Sequence, residues 1–366
     1  MEFTVQKANL MAAMDVAIRA IPSKCNMPVL YNFLIEVKEM DGTITSTDMS
    51  TSIVTRFTCM SAEDGQLCVD AKTLMAAVKK MGKADVTFRT DGDKVIVTGA
   101  KARYEFPIVT DIEGQYPLPQ KVDDAISFTV SESRFRDMID GVSFSASPAN
   151  ANKVLTCVNL RVDKGKLRLA TTDLVRVSIR KDTVECADNI NVNIPLKTMV
   201  DLGKSLGDGD LTIEATRFFA KFTFGQTTMI SRLVDGRFFN IDQLFDKGSP
   251  NINVDVDLKE FAESIDRALV IVNQDKSDKT PIVLDIQDDV INVSLRTTIS
   301  NFDEEIACQK SGDDIKIGLN ANYVLDVLKA TGEEKLKIGL YNANSPIFIV
   351  DEIDDAYAYI VLPISI

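Results

Sequence analysis

The chain has 366 residues and no histidine. The group that most often serves as general base near neutral pH, as partner of a nucleophilic serine or cysteine, and as zinc ligand is therefore missing. Six cysteines remain, Cys25, Cys59, Cys68, Cys157, Cys186 and Cys308, with no CxxC or CxxxC pair among them. They read as buried core thiols in a reducing compartment rather than as ligands or nucleophiles. Two acidic runs, Asp303-Glu304-Glu305 and Asp351 to Asp355, have the residue types to bind a divalent ion or act as an acid–base pair, but nothing beside them supplies oriented ligands or a nucleophile. Solvated surface is the simpler reading. GxGxxG and Walker A motifs are absent, the Asp275-to-Asp278 stretch lacks the glycine of an EF-hand turn, and Gly207-Asp208-Gly209-Asp210 reads as a tight turn. The residue inventory thus points away from an enzyme and predicts no cofactor and no metal.

The elements that would position any site are legible from length and pattern. At roughly 150 residues per domain the chain holds two to three domains, and 45% hydrophobic residues supply several cores. Its mean hydropathy is near zero, no 18-residue uncharged run is present, and the N-terminus MEFTVQKANL lacks a leader pattern, so a soluble cytoplasmic protein is expected. Formal charge is 41 − 54 = −13. That balance excludes a protein that coats nucleic acid with its whole surface, and leaves room for a local basic lining.

Self-similarity organises the rest. A strand leading into an amphipathic helix starts at Phe3, Phe128 and Val254, separated by 128 − 3 = 125 and 254 − 128 = 126. A second strand-helix marker contains Val69, Ile194 and Leu319, each 125 apart, and Thr47-Asp48 recurs as Thr172-Asp173, with Thr297-Thr298 in the third copy. Segments such as Lys94 to Val97 and Lys166 to Leu169 alternate as half-buried strands, with turn signals at Asp41-Gly42, Asp91-Gly92, Lys164-Gly165 and Asn342-Ala343-Asn344. The prediction is an α+β fold of three repeats, each with two helices on antiparallel sheet and six to eight strands. Connections at Gly114 to Pro119 and at Asp246 to Pro250 divide the chain into 1–122, 123–250 and 251–366. The stretch Arg103 to Val109, with Pro107, reads as an edge strand, and Asn301 to Ile306 offers a second edge beside Leu269 to Val272. Three like domains with complementary ends can close into a ring by head-to-tail pairing of chains.

Several segments carry a resemblance. FTVQKANL at the start, IPSKCNMPVL ending at Leu30, LATTDLVRV at 169 to 177, LVDGRFFNI at 233 to 241, LNANYVLDVLKA at 319 to 330 and the terminal AYIVLPISI follow one another in the order and spacing of a known family. Over its whole length the chain resembles the bacterial DNA polymerase III beta subunits, the sliding clamps. The resemblance implies a head-to-tail homodimeric ring of six domains, with helices lining a hole through which duplex DNA passes without sequence preference. It also implies a non-catalytic processivity role. Partners would be the replicative polymerase alpha subunit, the clamp loader delta subunit, translesion polymerases and repair proteins, all held through short linear peptides.

Carried onto this sequence, the resemblance implies DNA contacts at Lys24, Lys72, Lys79, Lys80, Arg136, Lys197 and Lys204, within a wider basic set that includes Lys7, Arg19, Arg134, Lys259, Arg267 and Lys329. It implies a peptide pocket whose apolar wall includes Leu155, Leu174, Val175, Val177, Phe239 and Leu244, then Pro346, Val361, Leu362, Pro363 and Ile364. Thr172, Gln243 and Asn344 join that wall, while Arg176, Asn320 and Tyr323 would orient the peptide by hydrogen bonds. It implies a dimer contact of Phe106 and Ile108 against Val270, Ile271, Phe302, Glu304 and Glu305, the acidic pair meeting a lysine such as Lys72. The family often has Gly-His where this chain has Leu174-Val175, a proline where it has Phe239, and a basic residue where it has Ser365. The other reading is a triplicated peptide-binding scaffold that never encloses DNA.

Overall fold

The structure, a computed structural model, describes residues 1–110, 112, 114–244, 249–275, 281–351 and 353–366. The connection at 246–248, most of the 275–278 stretch and Glu352 lie outside the described residues.

The first repeat runs β1 (Glu2–Val5), α1 (Lys7–Ala17), β2 (Asn32–Lys38), β3 (Asp41–Thr47), β4 (Thr51–Thr58), β5 (Met60–Glu63), β6 (Gly65–Asp70), α2 (Ala71–Lys80), β7 (Val86–Asp91), β8 (Lys94–Gly99) and β9 (Ala102–Val109). The second runs β10 (Ile126–Ser131), α3 (Glu132–Ser143), β11 (Cys157–Asp163), β12 (Lys166–Thr172), β13 (Arg176–Thr183), β14 (Ile190–Pro195), α4 (Leu196–Gly203), β15 (Asp210–Ala215), β16 (Phe219–Phe224) and β17 (Thr227–Arg232). The third runs β18 (Ile252–Asp257), α5 (Leu258–Asp275), β19 (Ile282–Gln287), β20 (Val290–Arg296), β21 (Asn301–Ser311), β22 (Ile315–Leu319), α6 (Ala321–Thr331), β23 (Lys335–Leu340), β24 (Ile347–Val350) and β25 (Tyr357–Val361). The α+β class and two helices per repeat match the sequence expectation. The first repeat exceeds the expected strand number because β5 doubles back to pair with β1.

Every strand pair is antiparallel, and each repeat is itself two strand-helix-three-strand halves that exchange their first strands. In the first repeat β1 pairs with β7 and β6 with β2; in the second β10 pairs with β15 and β14 with β11; in the third β18 pairs with β23 and β22 with β19. Half-repeat starts at residues 3, 67, 128, 192, 254 and 317 are 64, 61, 64, 62 and 63 apart, a period the 125-residue markers contain but do not single out.

The chain forms two compact units, 1–136 with 201–233 and 137–200 with 234–366. The first holds a 13-stranded sheet and the second a 12-stranded sheet. Amphipathic spacing explains the helices: Leu10, Ala13, Met14 and Ala17 bury one stripe of α1 in the same core as Phe3, Phe33 and Phe88. Phe261 and Ile265 of α5 and Val324 and Leu328 of α6 do the same around Val254, Leu284 and Ile317. The Asp70 side chain accepts from Thr73 N at 2.8 Å to cap α2, and α6 ends on Gly332 at φ 75°.

The repeated Thr-Asp marker has a mechanical cause. Thr47 Oγ1 donates to Thr51 O at 3.2 Å, while Asp48 Oδ1 accepts from Ser50 N and Thr51 N at 3.0 and 2.8 Å. One period later Thr172 Oγ1 donates to Arg176 O at 2.8 Å, and Asp173 Oδ1 accepts from Val175 N and Arg176 N at 3.0 and 2.9 Å. The third copy keeps the hydroxyl, Thr297 Oγ1 donating to Ser300 O at 2.9 Å. The Asp41-Gly42 signal is displaced. The bend lies at Glu39, φ 56°, and Gly42 sits inside β3, where a Cβ would come within 2.2 Å of the Phe57 ring.

Candidate peptide-binding site and nucleic-acid interface

The pocket positions all fall in the second unit. The last strand of the third repeat, β25, pairs with β13, aligning Arg176 with Val361 and Val177 with Ile360, and Leu362 N donates to Val175 O at 2.9 Å. The chain end continues across the sheet: Ile364 N donates to Gly318 O at 2.8 Å. Val177 and Ile360 share a small core with Val154, Ile179, Phe238, Ile241 and Phe348. That core turns the next residue after Phe238 outward, so Phe239 is partly exposed, its ring 6.0 Å from that of Phe238.

Exposure divides the predicted pocket residues. Leu155, Thr172, Val177 and Val361 are buried and form floor, not contact surface. Leu174 at 56%, Val175, Phe239, Leu244 and Leu362 are large apolar side chains open to solvent, with Pro346, Pro363 and Ile364 half-buried and Gln243 and Asn344 exposed. Leu174 is pushed out by its backbone: φ is 77°, a left-handed conformation that the Thr172–Asp173 hydrogen bonds impose. Asn344 N bonds Asn342 Oδ1 at 3.0 Å, which holds the predicted Asn342 to Asn344 turn.

Two expected hydrogen-bonding residues are already engaged. Arg176 is nearly buried; its Nε donates to Asp173 Oδ2 at 3.1 Å, Nη1 to Asp326 Oδ2 at 2.7 Å and Nη2 to Phe144 O. Its guanidinium lies 4.1 Å from the Tyr323 ring centroid and 5.6 Å from that of Phe144. A buried guanidinium needs this company, because burial without partners is costly. Asn320 Oδ1 accepts from Asn322 N and Tyr323 N at 2.9 and 3.2 Å as the cap of α6, a contribution of about 1 kcal/mol. Within the single chain Arg176 and Asn320 thus position Tyr323 and the turn. The sequence reading missed Asp326 and Phe144. The signal for Asp326 was its i,i+3 spacing from Tyr323 on one helix.

Among the basic residues, Lys24, Lys72, Lys79, Lys80, Lys197 and Lys204 are exposed. Lys24 sits in a loop tied down by Tyr31, whose hydroxyl accepts from Cys25 N at 2.7 Å. Arg136 is different: Nη1 donates to Leu206 O and Gly207 O at 3.1 and 3.2 Å, so it caps the carbonyls after α4. Lys7 does the same beyond α2, its Nζ reaching Lys79 O at 3.0 Å and Met81 O at 2.5 Å. Both side chains satisfy backbone carbonyls at or just beyond a helix end.

The two predicted edges are open along part of their length. β9 pairs with β8 from Ala102 to Pro107 but with β6 only at Ile108 and Val109. Ile108 N donates to Asp93 O at 3.0 Å, so the neighbouring Pro107 turns its nitrogen to the other side and costs the β8 ladder nothing. β21 pairs with β20 from Asn301 to Ala307 and with β18 only from Cys308 to Ser311. Phe106 is buried, Ile108, Ile271 and Phe302 are half-buried, Val270 is 61% exposed and Glu305 is exposed. Glu304 is taken: Arg267 donates to it at 2.7 and 3.1 Å, and this hydrogen bond, against a smaller effect of burial, holds its carboxyl below the usual range.

Among their described residues the acidic runs show no metal geometry. Asp303 pairs with Arg296 and Asp355 with Lys181, each at 2.5 Å, and Asp351 accepts from Ile353, Asp354 and Ala356 N at 2.9, 3.1 and 3.1 Å. Among the described residues no group of three acidic or cysteine side chains is placed to hold an ion. All six cysteines are free; four are buried, and Cys25 and Cys186 are half-buried, contrary to a uniform core assignment. Burial pushes the Cys68 thiol up to about 12 and Cys157 up to about 11, which makes them poor nucleophiles. Among the described residues no helix is long and apolar enough to cross a membrane.

Comparison with known proteins agrees over the full chain. Residues 1–119 match the N-terminal, 129–240 the central and 244–365 the C-terminal domain of the DNA polymerase III beta subunit. A beta sliding clamp of Staphylococcus aureus is 28% identical over 382 residues, covering 100% of this chain and 99% of that protein, and one of Pseudomonas aeruginosa is 25% identical over 373 residues with complete coverage of both. A crystal structure of a putative DNA polymerase III beta subunit from Eubacterium rectale superposes with a TM-score of 0.92 at 28% identity, covering 100% and 99% of the two chains. Three matched domains in order, with a shared three-repeat fold, establish that the chain belongs to the DNA polymerase III beta subunit family, and its relatives are DNA sliding clamps.

Proposed function

We propose that two copies of this chain close head to tail into a ring that encircles duplex DNA, serving as a non-catalytic processivity factor in the cytoplasm. The observation that carries the reading is the rule by which the repeats join. The outer strand of the first half of one repeat pairs with the outer strand of the second half of the next: β4 with β17 from Thr51 to Thr55, and β13 with β25 from Arg176 to Arg180. After those junctions two outer strands remain, β21 and β9, with open edges at 301–307 and 102–107. Each edge is long enough for a ladder of the five residue pairs seen at both internal junctions. The same rule applied once more joins β21 of one copy to β9 of another, and doing so at both ends uses the open edges of both outer strands.

In this reading the domains end near residues 122 and 250. Lys24, Lys72, Lys79, Lys80, Lys197 and Lys204 make weak, sequence-independent phosphate contacts, while the −13 charge elsewhere discourages sticking. The exposed Leu174, Val175, Phe239, Leu244 and Leu362 receive linear peptides of the replicative polymerase, the clamp loader delta subunit, translesion polymerases and repair proteins. A scaffold that never encloses DNA would keep the pocket and lack the ring.

Sedimentation tests the ring directly: the expected mass is twice 40.3 kDa, and Ile271→Asp, which would bury an unpaired charge, shifts it to monomer. An unchanged dimer in the variant would sink this interface. Salt-resistant retention on circular DNA, lost on linear DNA, separates the ring from the scaffold.

A further inference from the structure

The junction of the first and second repeats carries a groove built on the same backbone as the peptide pocket. Arg232 N donates to Ser50 O at 2.8 Å, the counterpart of Leu362 N to Val175 O at 2.9 Å. Ile230 stands opposite Ser52 as Ile360 stands opposite Val177, and the Thr47–Asp48 turn ejects Met49 at φ 72° as its counterpart ejects Leu174 at φ 77°. The connection after Gly114 closes the groove, since buried Tyr116 donates to Asn32 O and Thr45 O at 3.2 and 3.0 Å and leaves Leu118 63% exposed beside it. The cavity has a volume of about 220 Å³ and is lined by the apolar Met49, Leu118, Phe219 and Ile230 together with polar side chains, among them Ser52, Gln120 and Arg232. That is below the roughly 300 Å³ of a drug-sized pocket and suits one anchoring side chain.

We propose that this groove is a second docking site, for a protein segment that carries an aliphatic anchor followed by carboxylates. Charge selects the occupant. Arg232 is exposed, and no side chain among the described residues pairs with its guanidinium, whereas the equivalent position of the other pocket is the apolar Leu362. Ser50 replaces Val175 on the same wall, so the groove has one apolar slot and a cationic rim. The inference rests on reading the second–third junction as a peptide pocket, and the two can fail separately.

The test uses the full chain labelled at its methionine methyl groups, with the Met49 signal assigned by Met49→Leu. The probe is an acetylated, amidated Gly-Ser-Leu-Asp-Asp-Ser-Gly peptide, against the same peptide with both aspartates replaced by lysine. The acidic probe shifts the Met49 signal at a concentration about tenfold lower than the basic one. Arg232→Glu inverts that order, and Arg232→Lys retains it. A Met49 signal that stays still at millimolar probe, or responds equally to both peptides, overturns the proposal. So does a response abolished by Phe239→Ala, which would assign the binding to the other pocket and leave that reading intact.

Discussion

The two internal junctions share a backbone and differ in what they display. At the first, Thr47, Met49, Ser50, Thr51 and Arg232 surround the turn; at the second, Thr172, Leu174, Val175, Arg176 and Leu362 occupy the same places. The Thr-Asp hydrogen bonds and the strand ladder are common to both, so duplication preserved the geometry. The side chains went separate ways. One junction gained a buried arginine and a continuous apolar wall, and the other kept hydroxyls and put its arginine outside. One backbone geometry thus presents two different surfaces, set by a few side chains.

The largest effect expected from breaking this comparison is at the buried arginine. Arg176→Ala leaves Asp173 and Asp326 without their cation and should cost about 3 kcal/mol in the unfolding of the second unit. Its counterpart Thr51→Ala should cost about 1 kcal/mol or less. Urea unfolding of the full chain reads both, and equal costs would mean that the arginine network adds nothing to the turn. Next come the two ejected residues. Glycine at either position relieves a left-handed backbone and should stabilise by up to about 1 kcal/mol, because the relief is partly offset by glycine's freedom in the unfolded chain. Only Leu174→Gly should alter the proposed peptide pocket of the second junction: peptides optimised for sliding clamps with the usual Gly-His turn should bind the unmodified chain more weakly and regain affinity in the variant. Fluorescence polarisation checks this, and equal affinity for both chains refutes it.

The smallest effect is a pH dependence. Burial works to raise the Asp351 carboxyl, but the N–H groups of Ala356, Asp354 and Ile353, with Arg180 nearby, outweigh it and hold the group below its ordinary value. A depressed carboxyl stabilises the fold above its unfolded pKa and loses that contribution as pH falls through the folded one. Asp351→Asn should therefore flatten the acid limb of stability below about pH 4, where an unfolded aspartate takes up its proton. An identical acid limb in both proteins would remove Asp351 from that role.

Much of this was legible in the chain. The 125-residue period, the strand-helix markers and the two edge segments all reappear as elements, because alternation and helical spacing record which face of an element is buried. The half-repeat period was present in the same markers, and the exchange of first strands that makes it structural is a long-range pairing with no local signal. Partners far along the chain were not legible. Arg176 reads as a peptide-orienting donor and Arg136 as a DNA contact; the fold also encloses one with Asp326 and Phe144 and sets the other on the carbonyls of Leu206 and Gly207.

By itself the sequence determined the class of the fold, the triplication, the missing imidazole chemistry and the apolar, turn-rich segments on which the proposed peptide site draws. Those are properties of composition and of spacing within about a dozen residues, where burial periodicity and turn chemistry act. Tertiary structure alone decided which strand edges stayed open, which of the basic side chains remained available to solvent, and that two junctions 125 residues apart expose different surfaces on one backbone. Those depend on partners distant in the chain, 70 residues away for Arg136 and Leu206 and 150 for Arg176 and Asp326. A donor's availability is set by whether a carbonyl or carboxylate happens to be folded against it, and no local pattern encodes that.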